Sequence, residues 1–105
     1  QYHAHLGDKV AWLNIRTDFD YIPFRVIVFV EDAERTMAHM NENGIEPRSM
    51  FYPFHKQPCF AHLGYSPADF PNSEECFKRG ICLPTWVGLS DEQIAWTCEK
   101  LLETL

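Results

Sequence analysis

Phe24-Arg25-Val26-Ile27-Val28-Phe29-Val30 is the stretch that decides the fold class of this chain. Pro23 opens it, and from Val26 on it is apolar on both faces and rich in β-branched residues. That is the pattern of a buried central strand. Glu31 and Asp32 follow, acidic residues suited to the positive end of a helix. Ala33, Met37 and Met40 then recur at i, i+4 and i+7, one face of a helix. Gly44, after Asn43, suits the C′ position that ends it. A methionine stripe at this spacing reads as core packing, because Met fills irregular gaps in hydrophobic interiors.

Outward from this strand–helix pair, Ile45 to Tyr52 reads as a second strand, placed at an edge by Pro47. Pro53 through Asn72 carries Pro53, Pro58, Pro67 and Pro71 and has no period. A loop of about twenty residues without secondary structure is unusual in a compact domain and is usually functional or disordered. Tyr52, Phe54, Phe60, Tyr65 and Phe70 argue against disorder, so the loop must lie against its own core or a partner surface. Asn72 or Ser73 can cap a short helix to Arg79, with Asn72 and Glu75 resembling a capping box and Gly80 as the stop. Ile81-Cys82-Leu83 is a third short strand, cut by Pro84.

The last helix has the clearest local signal. Ser90 and Gln93 form S-x-x-Q, and Leu89 with Ile94 completes a hydrophobic staple. Ile94, Cys98, Leu101, Leu102 and Leu105 follow along one face. Trp96 falls off that stripe, so it either covers the core edge or marks a contact with another domain or subunit. Upstream, Val10 to Ile15 can be a short strand, and Arg16 to Tyr21 a polar loop. Residues 1–9 are an arm or the end of a cut helix. The sum is an α+β domain: a small three- to four-stranded, largely antiparallel sheet with helices packed on one face.

At 105 residues the chain suits one domain, too short for a multi-substrate enzyme with its own cofactor domain. With 46% hydrophobic and 23% charged residues it is globular in composition. A net charge of −6 without a Lys/Arg stripe argues against nucleic acid as a partner. No apolar run approaches the length of a membrane span. The N-terminus lacks the basic and apolar regions of a signal peptide, so a cytoplasmic location is expected. Gln1 stands where an initiator methionine would, which suggests a piece of something longer.

Cys59, Cys76, Cys82 and Cys98 contain no C-x-x-C pair and read as reduced thiols rather than a metal or redox site. His3 and His5 sit at an expected frayed end, where incidental metal affinity outweighs a built site. There is no G-x-S-x-G elbow and no glycine-rich phosphate loop. The carboxylate pairs Glu31/Asp32, Glu74/Glu75 and Asp91/Glu92 fall where helix starts want negative charge. The segment from Arg48 to Cys59 remains. Pro53 and Pro58 stiffen the backbone around His55, aromatics flank it, and Arg48 is a permanent cation able to face a carboxylate or phosphate. The bland reading is that Arg48 pairs with a surface acid and His55 is a hydrogen-bonded loop residue.

This stretch resembles the C-terminal small domain of the DegT/DnrJ/StrS family of fold-type I, pyridoxal-phosphate-dependent sugar aminotransferases. The resemblance rests on Gly44-Ile45-Glu46-Pro47-Arg48, on Phe51-Tyr52-Pro53-Phe54-His55-Lys56-Gln57-Pro58, on Gly80-Ile81-Cys82-Leu83-Pro84 and on Leu89-Ser90-Asp91-Glu92-Gln93-Ile94. It covers residues 22–105 in order and spacing, leaving 1–21 as an N-terminal arm or truncated interdomain segment.

The resemblance implies an intact enzyme, expected to be a homodimer, that aminates a nucleotide-linked keto sugar with glutamate as donor. It implies that an N-terminal large domain, absent here, supplies the pyridoxal phosphate lysine. None of Lys9, Lys56, Lys78 and Lys100 has that lysine's context, so this chain is expected to hold no cofactor and not to transaminate alone. It further implies that His55, Arg48, Phe51 and Tyr52 form a substrate-side wall, with no catalytic residue here. Two rivals are a stand-alone binding or oligomerisation module derived from the domain, and a metal or redox protein using Cys and His.

Overall fold

The computed structural model describes residues 1–16, 18 and 20–105; Thr17 and Phe19, in the expected polar loop, lie outside the described residues. Helix α1 spans Tyr2–Leu6 and strand β1 Ala11–Trp12. Then come β2 (Val26–Phe29), α2 (Ala33–Glu42), β3 (Arg48–Ser49), α3 (Pro71–Arg79), β4 (Gly80–Leu83) and α4 (Asp91–Leu102). The strands form one sheet in the order β1-β2-β4-β3, with each neighbouring pair antiparallel. Both β2 and β3 oppose β4, so they run the same way and α2 carries the chain across. This is the expected α+β fold.

Register shows which sheet face is buried. Val26 faces Leu83 and Val28 faces Ile81, and all four turn into the core. Ile27 faces Cys82 and Phe29 faces Gly80 on the other side. Leu6, Val28, Met40, Ile81 and Leu101 are fully buried, each side chain contributing about 1.5–3 kcal/mol by leaving water. The β2 stretch is therefore central, but its outer residues Ile27 and Phe29 are only half-buried. The even hydrophobicity read as burial on both faces corresponds to a second face that this chain leaves partly open.

Helix α2 starts and stops as the residues dictate. The Asp32 side chain accepts from the Arg35 N–H at 3.0 Å. At the other end Gly44 has φ 75°, Ile45 N–H donates to the Met40 carbonyl and Gly44 N–H to that of Asn41. That is a Schellman ending, and the positive φ is why glycine stands there. The Ser90 capping box also forms, with Ser90 N–H to Gln93 Oε1 at 2.9 Å and Gln93 N–H to Ser90 Oγ at 3.3 Å. Leu89 packs against the cluster that holds Ile94. Helix α4 buries Ile94, Cys98 and Leu101, but it ends at Leu102, and Leu105 is exposed.

Several local expectations fail for identifiable reasons. The first residues are not frayed: Tyr2 and Leu6 join the core, and His3 stacks on Trp12 with ring centroids 3.7 Å apart. The Asn72–Glu75 box does not form, because α3 begins at Pro71, with Phe70 at the N-cap and no side-chain cap. Proline at N1 supplies a preset φ instead. Gly80 is not a left-handed stop but the first residue of β4, at φ −82°. The proline-rich stretch is not featureless either; it is wound into 3₁₀ turns at Phe54–Lys56, Pro58–Leu63 and Pro67–Asp69.

Candidate functional site

Edge strand β3 delivers Arg48 and then releases the chain through Met50, Phe51 and Tyr52 into the first 3₁₀ turn. Met50 stays tied to the sheet, its N–H donating to the Gly80 carbonyl at 3.3 Å. From there the named residues divide. Arg48 and Phe51 lie beside Arg25, which shares a cavity with Arg48 and has its guanidinium carbon 5.4 Å from the Phe51 ring centroid. Tyr52 turns toward α3 and meets Phe77 edge-on at 5.2 Å. His55 turns the same way.

His55 is the most constrained of the four. Its side chain is 4% exposed. The ring stacks on Phe70 at 4.8 Å, and Nε2 lies 2.6 Å from Glu74 Oε1. Lys56 Nζ donates to the other oxygen, Glu74 Oε2, at 3.0 Å. Lys56 above all, and then His55, hold the Glu74 carboxyl below the usual carboxylate range. The loop is thus clasped to the first turn of α3 by one carboxylate with two partners. Glu74 does suit the helix N-terminus, but it has this second task, which spacing alone could not show. Asp69 is also held low, chiefly by the Ser66 N–H in the capping box of the preceding turn.

Large apolar side chains are left open on this chain. Ile22 is 90%, Phe24 81%, Phe54 74% and Phe51 66% exposed. Phe54, Phe60, Leu63, Tyr65 and Phe70 form a cup of about 330 Å³ next to His55. A larger groove of about 700 Å³, between Trp86 and Trp96, runs past Ile45 and Leu89 with Arg48 on its rim. Trp96 sits at the core edge, its Nε1 donating to the Asn43 carbonyl at 3.3 Å while Lys100 lies over its ring.

A pyridoxal phosphate site needs a lysine free to lose its proton. Lys56 is paired with Glu74, and Lys100 with Glu99 and Glu103, which push its pKa up. Lys9 and Lys78 stand on the exposed surface. None of the four is buried, so none is desolvated toward the neutral amine that the cofactor requires, and the residues present do not fit it. Among the described residues no three His, Cys, Asp or Glu side chains gather as a metal site, and no helix is long and apolar enough to cross a membrane. Cys82 and Cys98 are buried and Cys59 is exposed; none of the four thiols is bridged.

Sequence reasoning missed Arg25, Glu74, Phe70 and Phe77 as neighbours of the site. Arg25 carried one signal, a permanent cation at the start of an apolar strand.

The model of the DegT/DnrJ/EryC1/StrS aminotransferase family matches residues 6–102. The GDP-perosamine synthase of Vibrio cholerae is 44% identical over 62 residues, which is 59% of this chain and 17% of that protein. That of Escherichia coli O157:H7 is 34% identical over 73 residues, 70% of this chain and 19% of its own length. Among solved structures, S. venezuelae DesV in complex with a ketimine intermediate superposes with a TM-score of 0.90 at 19% identity, covering 98% of this chain and 29% of that one. An aminotransferase from Brucella abortus gives 0.83 at 22% identity, covering 98% and 28%. The chain thus spans less than a fifth of the length of these curated relatives.

Proposed function

The chain belongs to the DegT/DnrJ/EryC1/StrS aminotransferase family, and from that premise we propose that it is the C-terminal small domain of an aminotransferase acting on a nucleotide-linked keto sugar. In that reading residues 22–105 are the domain and 1–21 the segment leading into it. The intact enzyme is a cytoplasmic homodimer whose large domain holds pyridoxal phosphate and performs the amino transfer. This chain supplies a substrate-side wall made by Arg48, Phe51, Tyr52 and the loop clasped through His55.

One observation carries the proposal. The aromatic surface of Phe24, Phe51 and Phe54 is uncovered, on a chain that has no buried lysine for the cofactor and spans a small part of its relatives. Exposed apolar surface of this kind marks an interaction site. The GDP-perosamine synthases among the relatives support a nucleotide-linked sugar as substrate.

The test has two arms. The isolated chain, mixed with pyridoxal phosphate and borohydride, is expected to gain no stoichiometric lysine adduct. The full reading frame around Gln1 is expected to encode a protein that gains one and moves the amino group of glutamate to a nucleotide keto sugar. A reading frame that starts at this domain and yields a stably folded, cofactor-free protein would replace the proposal with the stand-alone module.

A further inference from the structure

Two of the chain's three tryptophans, Trp86 and Trp96, line one groove, and the wall just described uses neither. Both indoles are exposed, but each is held in place. The Trp86 ring lies over Gly88, where an added Cβ would sit 3.4 Å from Nε1, and the Leu89 N–H closes the turn onto the Trp86 carbonyl at 3.2 Å. Trp96 is fixed by the bond from its Nε1 to the Asn43 carbonyl. Aromatic faces set in advance cost a ligand little ordering on binding.

The charges around the groove do not balance. Its lining carries two carboxylates, Glu46 and Glu92, and one cation, Arg48. Arg48 is paired with Glu46 at 2.7 Å, so those two charges offset each other. Glu92 has no ion pair among the described residues. It stands in the first turn of α4, where its own N–H and the Ser90 hydroxyl hold the carboxyl below the usual carboxylate range. One unmatched negative charge therefore lies in the same groove as two indole faces. Both features attract a cation, since the face of an aromatic ring is its negative side and Trp is the best of the rings. The chain's own Lys100 already uses this attraction, with Nζ 4.4 Å from the Trp96 ring centroid. Lys100 does not line the groove and is paired with Glu99 and Glu103, so it leaves Glu92 unmatched.

We propose that the groove between Trp86 and Trp96 binds a small organic cation of the quaternary or alkylammonium class. Its charge faces Glu92, and its methyl or methylene groups lie on the indoles and on the apolar floor of Ile45 and Leu89. Other ligand classes fit less well. An anion meets the unmatched carboxylate, and a neutral apolar molecule leaves that carboxylate without a partner. A bare metal ion finds no cluster of ligands among the described residues. A concave, mostly apolar lining with few polar groups is the form of a small-molecule site. The site is independent of the function proposed above.

The 105-residue chain is titrated with choline chloride, against sodium chloride at matched ionic strength, following the indole N–H resonances by NMR. Choline is expected to move those of Trp86 and Trp96 saturably. Trp12, whose N–H is bound to the Gly7 carbonyl at 2.8 Å, is expected to stay in place. The neutral alcohol in which carbon replaces the nitrogen of choline is expected to bind about tenfold more weakly or worse. Glu92→Gln should weaken choline about threefold and leave the alcohol unaffected, and Trp86→Leu should weaken choline about fivefold or more. Equal affinity for choline and the alcohol overturns the proposal with no variant needed, and so do unmoved Trp86 and Trp96 resonances or native choline affinity in Trp86→Leu. A peptide bearing trimethyl-lysine that binds more than about tenfold tighter than choline would give the groove to a polypeptide and overturn the small-molecule assignment.

Discussion

Gly80→Ala tests how tightly the loop at the site is bound to the sheet. The backbone conformation is no obstacle, since φ −82° and ψ 133° suit any residue. On that ground alone alanine would stabilise by about 0.4–1 kcal/mol through a less flexible unfolded chain. The space decides otherwise. A Cβ would collide with Met50 Cγ and stand 3.3 Å from Met50 Sδ and 2.6 Å from the Cys76 carbonyl oxygen. Carbon contacts relax only at about 3.5–4.0 Å. Met50 can swing aside, but the Cys76 carbonyl belongs to α3 and already accepts the Gly80 N–H. Overpacking of this kind costs about 1–3 kcal/mol, so, less the gain above, the net loss should be about 1.3 kcal/mol. At about 4–8 °C per kcal/mol for a domain of this size, the melting temperature should fall by about 5–10 °C. Thermal unfolding followed by circular dichroism reads this directly. Adding Met50→Ala should recover less than half of the loss, because the carbonyl contact remains. A neutral or stabilised Gly80→Ala would refute the steric argument; full recovery in the double variant would refute the part given to Cys76.

Three further outcomes follow from single groups. Tyr2 donates its hydroxyl to the Pro84 carbonyl at 2.8 Å, so Tyr2→Phe should cost about 1 kcal/mol in urea unfolding. Burial, its largest cause, pushes the Tyr2 phenol up to about 12; the neutral form is the one that folds, so this contribution is whole below the unfolded value of about 10 and is lost as pH rises through about 12. Tyr2→Phe should flatten that alkaline decline, and an unchanged decline would count against it. Glu74 behaves in the opposite sense: its depressed carboxyl supports the loop above an unfolded value of about 4.3 and lets go as pH falls through the lower folded one. The His55 ring resonances shifted by Phe70 should disappear over that acidic window, and Glu74→Gln should lack them at neutral pH. For the thiols, brief alkylation at about pH 8 with mass mapping should label the exposed Cys59 first. Cys98, buried and pushed up to about 11, should react only on unfolding; equal labelling of the two would contradict the packing.

What could be read without the structure was local. The acceptor for the Arg35 N–H is three residues back at Asp32, and the Schellman ending at Gly44 and the Ser90 box each close within six residues. The β2 run, the α2 stripe and the α4 stripe are periodic over neighbouring residues, so strand and helix were legible there. The α3 start was misread because Asn72 offers a good cap, but Pro71 one residue earlier starts the helix without one.

By itself, then, the sequence determined the α+β class, the order of its elements and the segment on which Arg48, Phe51, Tyr52 and His55 lie. Hydrogen bonding and hydrophobic periodicity act at short range, so neighbouring residues suffice to encode them. Only the tertiary structure decided what those side chains touch. His55 meets Glu74 nineteen residues later, Tyr2 meets Pro84 across 82 positions, and Gly80 is glycine because Met50 and Cys76 leave no room for a methyl group. It also left Arg25 beside Phe51 without an acceptor. Such contacts depend on which strands pair and in what register, and that is settled by burying one sheet face under helices drawn from the whole chain.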